Sequence, residues 1–218
     1  MTVTLAIVTS TPQVAVALAN EDGLMATFAL RAGRRHGETL APAIRSITGL
    51  AGIELRDVER IAVDTGPGLF TGLRVGVSTA KALGSALDRP IVGVSSLDIL
   101  AHPLRLLGRP VASVVDARRG EVFWALYEPV ADAMVAVREP TVAAPDELAG
   151  LGPDVLLTGD GARRYADMWS SPVAPPEFDH PSASVLAGLS FDRPAWSPEK
   201  VTPTYLRGAD VRIGWEQR

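Results

Sequence analysis

The chain has 218 residues, 47% apolar and 21% charged, an ordinary globular mixture with enough length for one large core or two small lobes. Its net charge is −4 and it has no cysteine. Thiol nucleophiles, thiolate zinc sites and disulfides are therefore excluded, and an acidic chain is not expected to bind nucleic acid strongly by itself. No run of eighteen apolar residues occurs and the first eight residues carry no basic stretch, which predicts a cytoplasmic protein with no membrane span and no secretory signal.

In chain order, residues 3–8, 13–19 and 24–30 read as three strands joined by short turns at 9–12 and 20–23, an antiparallel meander. Residues 36–51 switch to helical spacing, with Leu40, Ile44, Ile47 and Ala51 on one face and Pro42 in the first turns, where proline is tolerated. A short buried strand at 61–64, a helix at 71–87, a strand at 91–94 and a helix at 96–107 follow. The second half echoes the first. At an offset of 108 residues, Val14, Ala17 and Leu18 meet Val122, Ala125 and Leu126, and the strand at 3–8 lies over 111–116. Further strands are expected at 134–137 and 155–158, with helices near 146–151, 161–169 and 182–189. Prolines 194, 198 and 203 mark an irregular tail. The pattern predicts an α/β fold with mixed sheets and two lobes, 1–100 and 101–218, divided near residues 99–109.

The segment DTGPGLFTGLRVGVSTAKAL, from Asp64 to Leu83, is strand, glycine-rich turn and helix. It is not a P-loop, because Gly72 is followed by Leu73 and Arg74 rather than Lys and Ser or Thr. Gly66, Gly68 and Gly72 are spaced one residue too widely for a dinucleotide fingerprint, and Pro67 removes a backbone donor. A tight strand-to-helix turn with Thr71 as N-cap is the competing reading. In the helix, Gly72, Gly76, Ala80 and Gly84 recur every fourth residue as a stripe of small side chains. Glycine within a helix costs about 1 kcal/mol relative to alanine, so the stripe implies close approach of a neighbour. Leu73, Val75, Val77, Leu83 and Leu87 make the helix apolar nearly all round. Such a helix is covered on all sides, either by its own domain or by a second chain.

Catalytic chemistry is sparse. His36, His102 and His180 are scattered, with no zinc-peptidase spacing, and His36 reads as a capping or surface residue. Ser78 lies in a weak echo of a nucleophile elbow, inside a helix rather than at a strand-to-helix turn. Asp64, Asp116 and Glu121, at strand ends, are the best carboxylate candidates, with turn chemistry as the alternative.

Five segments carry a resemblance in order: LAIVTST at the N-terminus, RRHGETLAPAI from Arg34, the glycine segment, VDARRGEVFWALY from Val115, and TYLR from Thr204. Together they resemble the TsaB family, also called YeaZ, of tRNA threonylcarbamoyladenosine biosynthesis proteins. The resemblance implies an actin/Hsp70-like (ASKHA) fold whose two lobes each begin with a strand hairpin. It implies a role in forming N6-threonylcarbamoyladenosine (t6A) at position 37 of tRNA, as a non-catalytic partner of the larger paralogue TsaD and of the ATPase TsaE. It further implies a homodimer when alone, contact with tRNA only through the complex, and no cofactor of its own, with ATP or ADP held at the interface between subunits.

The family usually reads LAIDT in the first strand, whereas this chain has Val8 at the aspartate position; Asp116 keeps the carboxylate in the second lobe. Valine cannot ligate magnesium, and the paired metal-binding histidines of the catalytic paralogue are absent, since Leu40 stands four residues after His36. The expected partner interface lies on the two N-lobe helices, through Leu40, Ala43, Ile44 and Ile47 on the first and Leu73, Gly76, Val77, Ala80 and Gly84 on the second. Val77→Glu is then expected to break pairing. Residues expected near any nucleotide are Thr9, Gly66, Gly68, Thr71 and Asp116, with no metal ligands. The rival readings are a nucleotide-binding or hydrolysing enzyme built on the glycine turn and Asp116, and a peptidase, for which the chain offers no ligands.

Overall fold

The computed structural model describes residues 2–207. Two mixed sheets make up the fold. The first has strand order β3-β2-β1-β4-β5, from β1 (Thr4–Val8), β2 (Gln13–Asn20), β3 (Gly23–Arg31), β4 (Arg60–Gly66) and β5 (Ile91–Ser95). The second has the order β8-β7-β6-β9, from β6 (Val111–Arg118), β7 (Glu121–Val130), β8 (Ala133–Ala143) and β9 (Leu156–Thr158). In each sheet an antiparallel meander is followed by a parallel strand beside its first member, so β4 pairs with β1 as β9 pairs with β6. This is the repeat seen in the sequence, and α/β architecture with two meander-led sheets is what the hydropathy pattern predicted.

Alternation along β1 explains the layering. Leu5 and Ile7 face one side with α1 (His36–Ala51) and α2 (Phe70–Leu87), whose Leu40, Ile44, Ile47, Val77 and Ala80 join the same core. Ala6 and Val8 face the other side among Ala15, Ala17 and Ala62, and this shallow, small-residue surface admits α5 (Ala183–Ser190) through Ala183, Leu186 and Ala187. The second half of the chain thus returns to cover the first sheet, and the tail pairs Trp196 with Ile91 at its β5 edge. Residues 208–218, the end of the expected second lobe, lie outside the described residues.

Helix α3 (Ser96–Ala101) sits between the sheets, capped by Ser95 Oγ, which accepts from Leu97 N. The helix expected over 96–107 ends at Ala101 and continues as a 3-10 turn over His102–Leu107, because Pro103 has no N–H for the α-helical ladder. Likewise 161–169 divides into α4 (Asp160–Arg164) and a 3-10 turn at Ala166–Met168, and the helix expected near 146–151 is a 3-10 turn at Pro145–Leu151. Among the described residues no helix is long and apolar enough to cross a membrane.

Candidate functional site

Three of the segments that carried the resemblance meet at one cleft. The turn after β4 with the start of α2, the β6–β7 turn, and the tail at Thr204–Arg207 together enclose about 560 Å³. The tail is held in place by Thr204 N donating to Thr65 O and by Lys81 Nζ donating to the carbonyls of Glu199 and Val201. An ion pair between Arg207 and Glu121 joins the tail to the second lobe.

Asp116 lies at the inner end of this cleft and is 5% exposed. Its carboxylate accepts from the backbone N–H of Arg118 at 2.9 Å and pairs with the guanidinium groups of Arg118 at 3.0 Å and Arg164 at 3.8 Å. Its own N–H donates to Asp160. Burial, with the Asp116 charge adding to it, pushes the Asp160 carboxyl up to about 6. The turn that displays the arginines is strained: Arg118 and Arg119 have φ of 65° and 57°, in the left-handed region that side chains with a Cβ rarely adopt.

The matching hairpin of the first lobe is closed. Thr9, Ser10 and Thr11 are buried. The glycine turn lies directly on them: Leu69 N donates to Ser10 O at 2.7 Å, and a Cβ on Gly68 would sit 2.3 Å from that same carbonyl. Thr9 Oγ1 donates to Gly72 O within α2 at 2.8 Å. The space beside the first-lobe hairpin is therefore filled by the chain's own turn. Thr9 and Gly66, expected near a nucleotide, are buried by this packing, whereas Gly68 and Asp116 do line the cleft. Thr71 is no cap; the helix begins at Phe70 with Leu69 at the N-cap position, and Thr71 is exposed in the first turn. The bond from Leu69 to Ser10 sets where the helix can start. The turn also contains a cis peptide bond between Gly66 and Pro67.

Asp64 is fully buried, with Oδ1 accepting from Ser96 Oγ at 2.5 Å and Gly66 N at 2.9 Å and Oδ2 accepting from Ser10 Oγ. Desolvation pushes its carboxyl up to about 6 against those three hydrogen bonds. It ties the β1–β2 turn, β4 and α3 together and is sealed from solvent. His36 is neither a surface residue nor a cap for its helix: it is buried, and its Nε2 donates to Thr11 O at 2.8 Å, pinning the start of α1 to the closed hairpin. Among the described residues no group of three His, Asp or Glu side chains is placed to hold a metal.

The interface residues expected on the two helices need a correction of face. Leu40, Ala43, Ile44 and Ile47 point into the first core, as do Val77 and Ala80, while Leu73 is buried against the Gly66 turn, each 6% exposed or less. Gly76 and Gly84 are buried as well. The glycine stripe is explained within the chain: a Cβ on Gly72 would lie 2.1 Å from Thr9 O, and one on Gly76 2.2 Å from Thr9 Oγ1. What the helices leave outside is a different set. α1 exposes Gly37, Glu38, Ala41, Pro42, Arg45, Ser46, Gly49 and Leu50; α2 exposes Phe70 and Thr71 in its first turn, then Arg74, Ser78, Ala82, Ser85 and Ala86. The signal for this lay in the sequence as alanines and serines interleaved with the stripe, but small residues do not reveal which side is buried.

Two sheets that each open with an antiparallel hairpin, facing one another across a cleft, define an actin-like fold. The fold matches the crystallised activator of 2-hydroxyisocaproyl-CoA dehydratase from Clostridium difficile, with a TM-score of 0.52 over 87% of this chain and 94% of that one, at 10% identity. A family model described as tRNA N6-adenosine threonylcarbamoyltransferase (TsaD) matches residues 30–184. The tRNA threonylcarbamoyladenosine biosynthesis protein TsaB of Bacillus subtilis is 32% identical over 97% of this chain and 96% of its own length. The solved structure of YeaZ from Pseudomonas aeruginosa superposes with a TM-score of 0.84 over 94% of this chain and 100% of that chain, at 30% identity. An uncharacterized protein of Mycobacterium leprae is 34% identical, and the match spans 56% of that longer protein. The chain belongs to the TsaB (YeaZ) family.

Proposed function

We propose that this chain is a non-catalytic subunit in t6A biosynthesis, needed for transfer of the threonylcarbamoyl group to adenosine 37 of tRNA. It acts by pairing with the catalytic paralogue TsaD and with the ATPase TsaE. The relatives named for that pathway support the pathway. The observation that carries the pairing role is the outward surface of α2 beyond its first turn: over the exposed positions from Arg74 to Ala86, Arg74 is the only charge, and the rest are serine or alanine. A helix face of small, uncharged residues lets a second helix approach closely, and depletion of charge is the mark of an interface centre. The same face would serve a homodimer when the chain is alone.

Hydrolysis by this chain is disfavoured by the residues. Val8 stands where the first hairpin would present a carboxylate, the hairpin is filled by the glycine turn, Asp64 is sealed by two serines, and the Asp116 carboxylate is already paired with two guanidinium groups. ATP or ADP in the complex would then be held between subunits rather than by this chain's own hairpin.

The test is co-elution of the full chain with the TsaD paralogue of the same genome, with mass by light scattering. Expected is a one-to-one complex that replaces the homodimer and is lost in Ala82→Arg, a substitution at an exposed position. A complex that survives Ala82→Arg sinks the assigned face; no complex at all sinks the pairing role.

A further inference from the structure

The chain is acidic overall, yet its arginines are not spread evenly. Among the described residues, Arg74, Arg118, Arg119 and Arg207 line the interlobe cleft, and the carboxylate that lines it with them is Asp116. Locally that is an excess of three positive charges, or two when Glu121, the partner of Arg207 at the edge, is included. The whole chain carries −4. Clefts lined by one sign of charge focus the field and concentrate ligands of the opposite sign.

Aromatic surface accompanies the charge. Phe70 and Tyr205, from segments far apart in sequence, pack with ring centroids 5.3 Å apart at 38°, and the Arg74 guanidinium lies 4.2 Å from the Phe70 centroid. Both aromatic residues are nonetheless 47% exposed. Solvent-facing rings beside guanidinium groups form a stacking platform, the combination that binds single-stranded nucleic acid. The β6–β7 hairpin turn adds to it, since its two-residue loop leaves Arg118 and Arg119 exposed beside the rings. A cavity of about 560 Å³ is the size of a small-molecule site. It admits one unstacked nucleotide and not a double helix.

We infer that the cleft takes an unpaired nucleotide of a single-stranded RNA segment, with phosphate on the arginines and base against Tyr205 and Phe70. No magnesium is called for, because guanidinium groups supply the countercharge. The inference goes beyond the pairing role and does not rest on it: it gives the chain a direct RNA contact, where its acidic balance alone predicts none.

The full chain is titrated against a short labelled single-stranded RNA by fluorescence anisotropy at low and at physiological salt, with a duplex of the same length and with AMP as competitors. Arg74→Glu and Tyr205→Ala are compared; both side chains are exposed, and an unchanged melting temperature confirms the fold. Expected are preference for the single strand, weakening with salt, and a loss of about tenfold or more in each variant. Absence of binding at low salt, equal affinity for the duplex, or both variants binding as the parent does would overturn the inference. Displacement by AMP at equal nucleotide concentration would also overturn it, by making the cleft a site for free nucleotide. Failure here leaves co-elution with the paralogue untouched, and loss of co-elution leaves this binding untouched.

Discussion

Gly76→Ala should destabilise the isolated chain, although helix propensity alone says the opposite. Alanine is favoured over glycine in a helix by about 1 kcal/mol. In this fold the added Cβ would stand 2.2 Å from Thr9 Oγ1, where ordinary contact begins near 3.4 Å. The Thr9 hydroxyl must move by more than an ångström, which breaks its 2.8 Å bond to Gly72 O. That loss is worth about 1 kcal/mol, and overpacking a closed core adds about 1–3 kcal/mol. The net expectation is a loss of about 1–3 kcal/mol, or roughly 3–10 °C in melting temperature for a chain of this size. Urea and thermal unfolding followed by circular dichroism would measure it. A double-mutant cycle sharpens the test, because Thr9→Ala removes the clashing hydroxyl and should let Gly76→Ala become neutral or stabilising, a coupling of about 2 kcal/mol. Gly49→Ala is the control: nothing lies within 4 Å of its Cβ position on the open face of α1, so it should gain up to about 1 kcal/mol. If Gly76→Ala is as stable as the parent while alone, the stripe does not serve internal packing and the reasoning fails.

The other predictions follow from the same geometry. Val77→Glu, at 3% exposure, should cost about 3–5 kcal/mol by burying an unpaired charge, and so report on folding; Ala82→Arg should leave the melting temperature within about 1 °C and report on pairing. Chemical unfolding of both variants separates the two effects, and a folded, stable Val77→Glu protein would contradict the burial. An unfolded aspartate titrates near 4 whereas Asp64 in the fold titrates at about 6, so the folded state holds that proton more tightly. Its contribution to stability is therefore fully present below about pH 4 and declines as pH rises through about 6, by on the order of 2–3 kcal/mol. Asp64→Asn should remove its share of that decline when stability is measured across the window, with the similar decline due to Asp160, also raised to about 6, left in place; an unchanged slope would refute the assignment. Calorimetric titration of the isolated chain with ATP should show no heat that depends on magnesium, and tight magnesium-dependent binding would restore the hydrolase reading.

Local structure was legible where side-chain periodicity and local hydrogen bonds set it. Helix α1 spans the residues that its apolar spacing marked, and both meanders sit where their alternation placed them. The family was legible too, because it is carried by short motifs whose residues and order survive without coordinates. The division of α3 from its 3-10 extension turned on Pro103, a local signal present in the sequence and overridden in the reading by hydropathy.

The rest is non-local. A helix rich in glycine, alanine, serine and valine, with Arg74 and Lys81 as its charges, has no large polar face to mark its outside, so only packing against Thr9 and the first sheet decided which side of α2 is buried. His36 gained its partner from a turn 25 residues away, and Asp64 became a buried strut only when Ser10 and Ser96 closed on it. The cleft likewise exists only because a tail crossing from the second half brings Tyr205 and Arg207 to Phe70 and the β6–β7 turn. Sequence determines which segments form and what chemistry each can offer, because propensity and patterning act over a few residues. Which chemistries meet is decided by tertiary packing, because burial and charge focusing depend on neighbours that the chain order does not name.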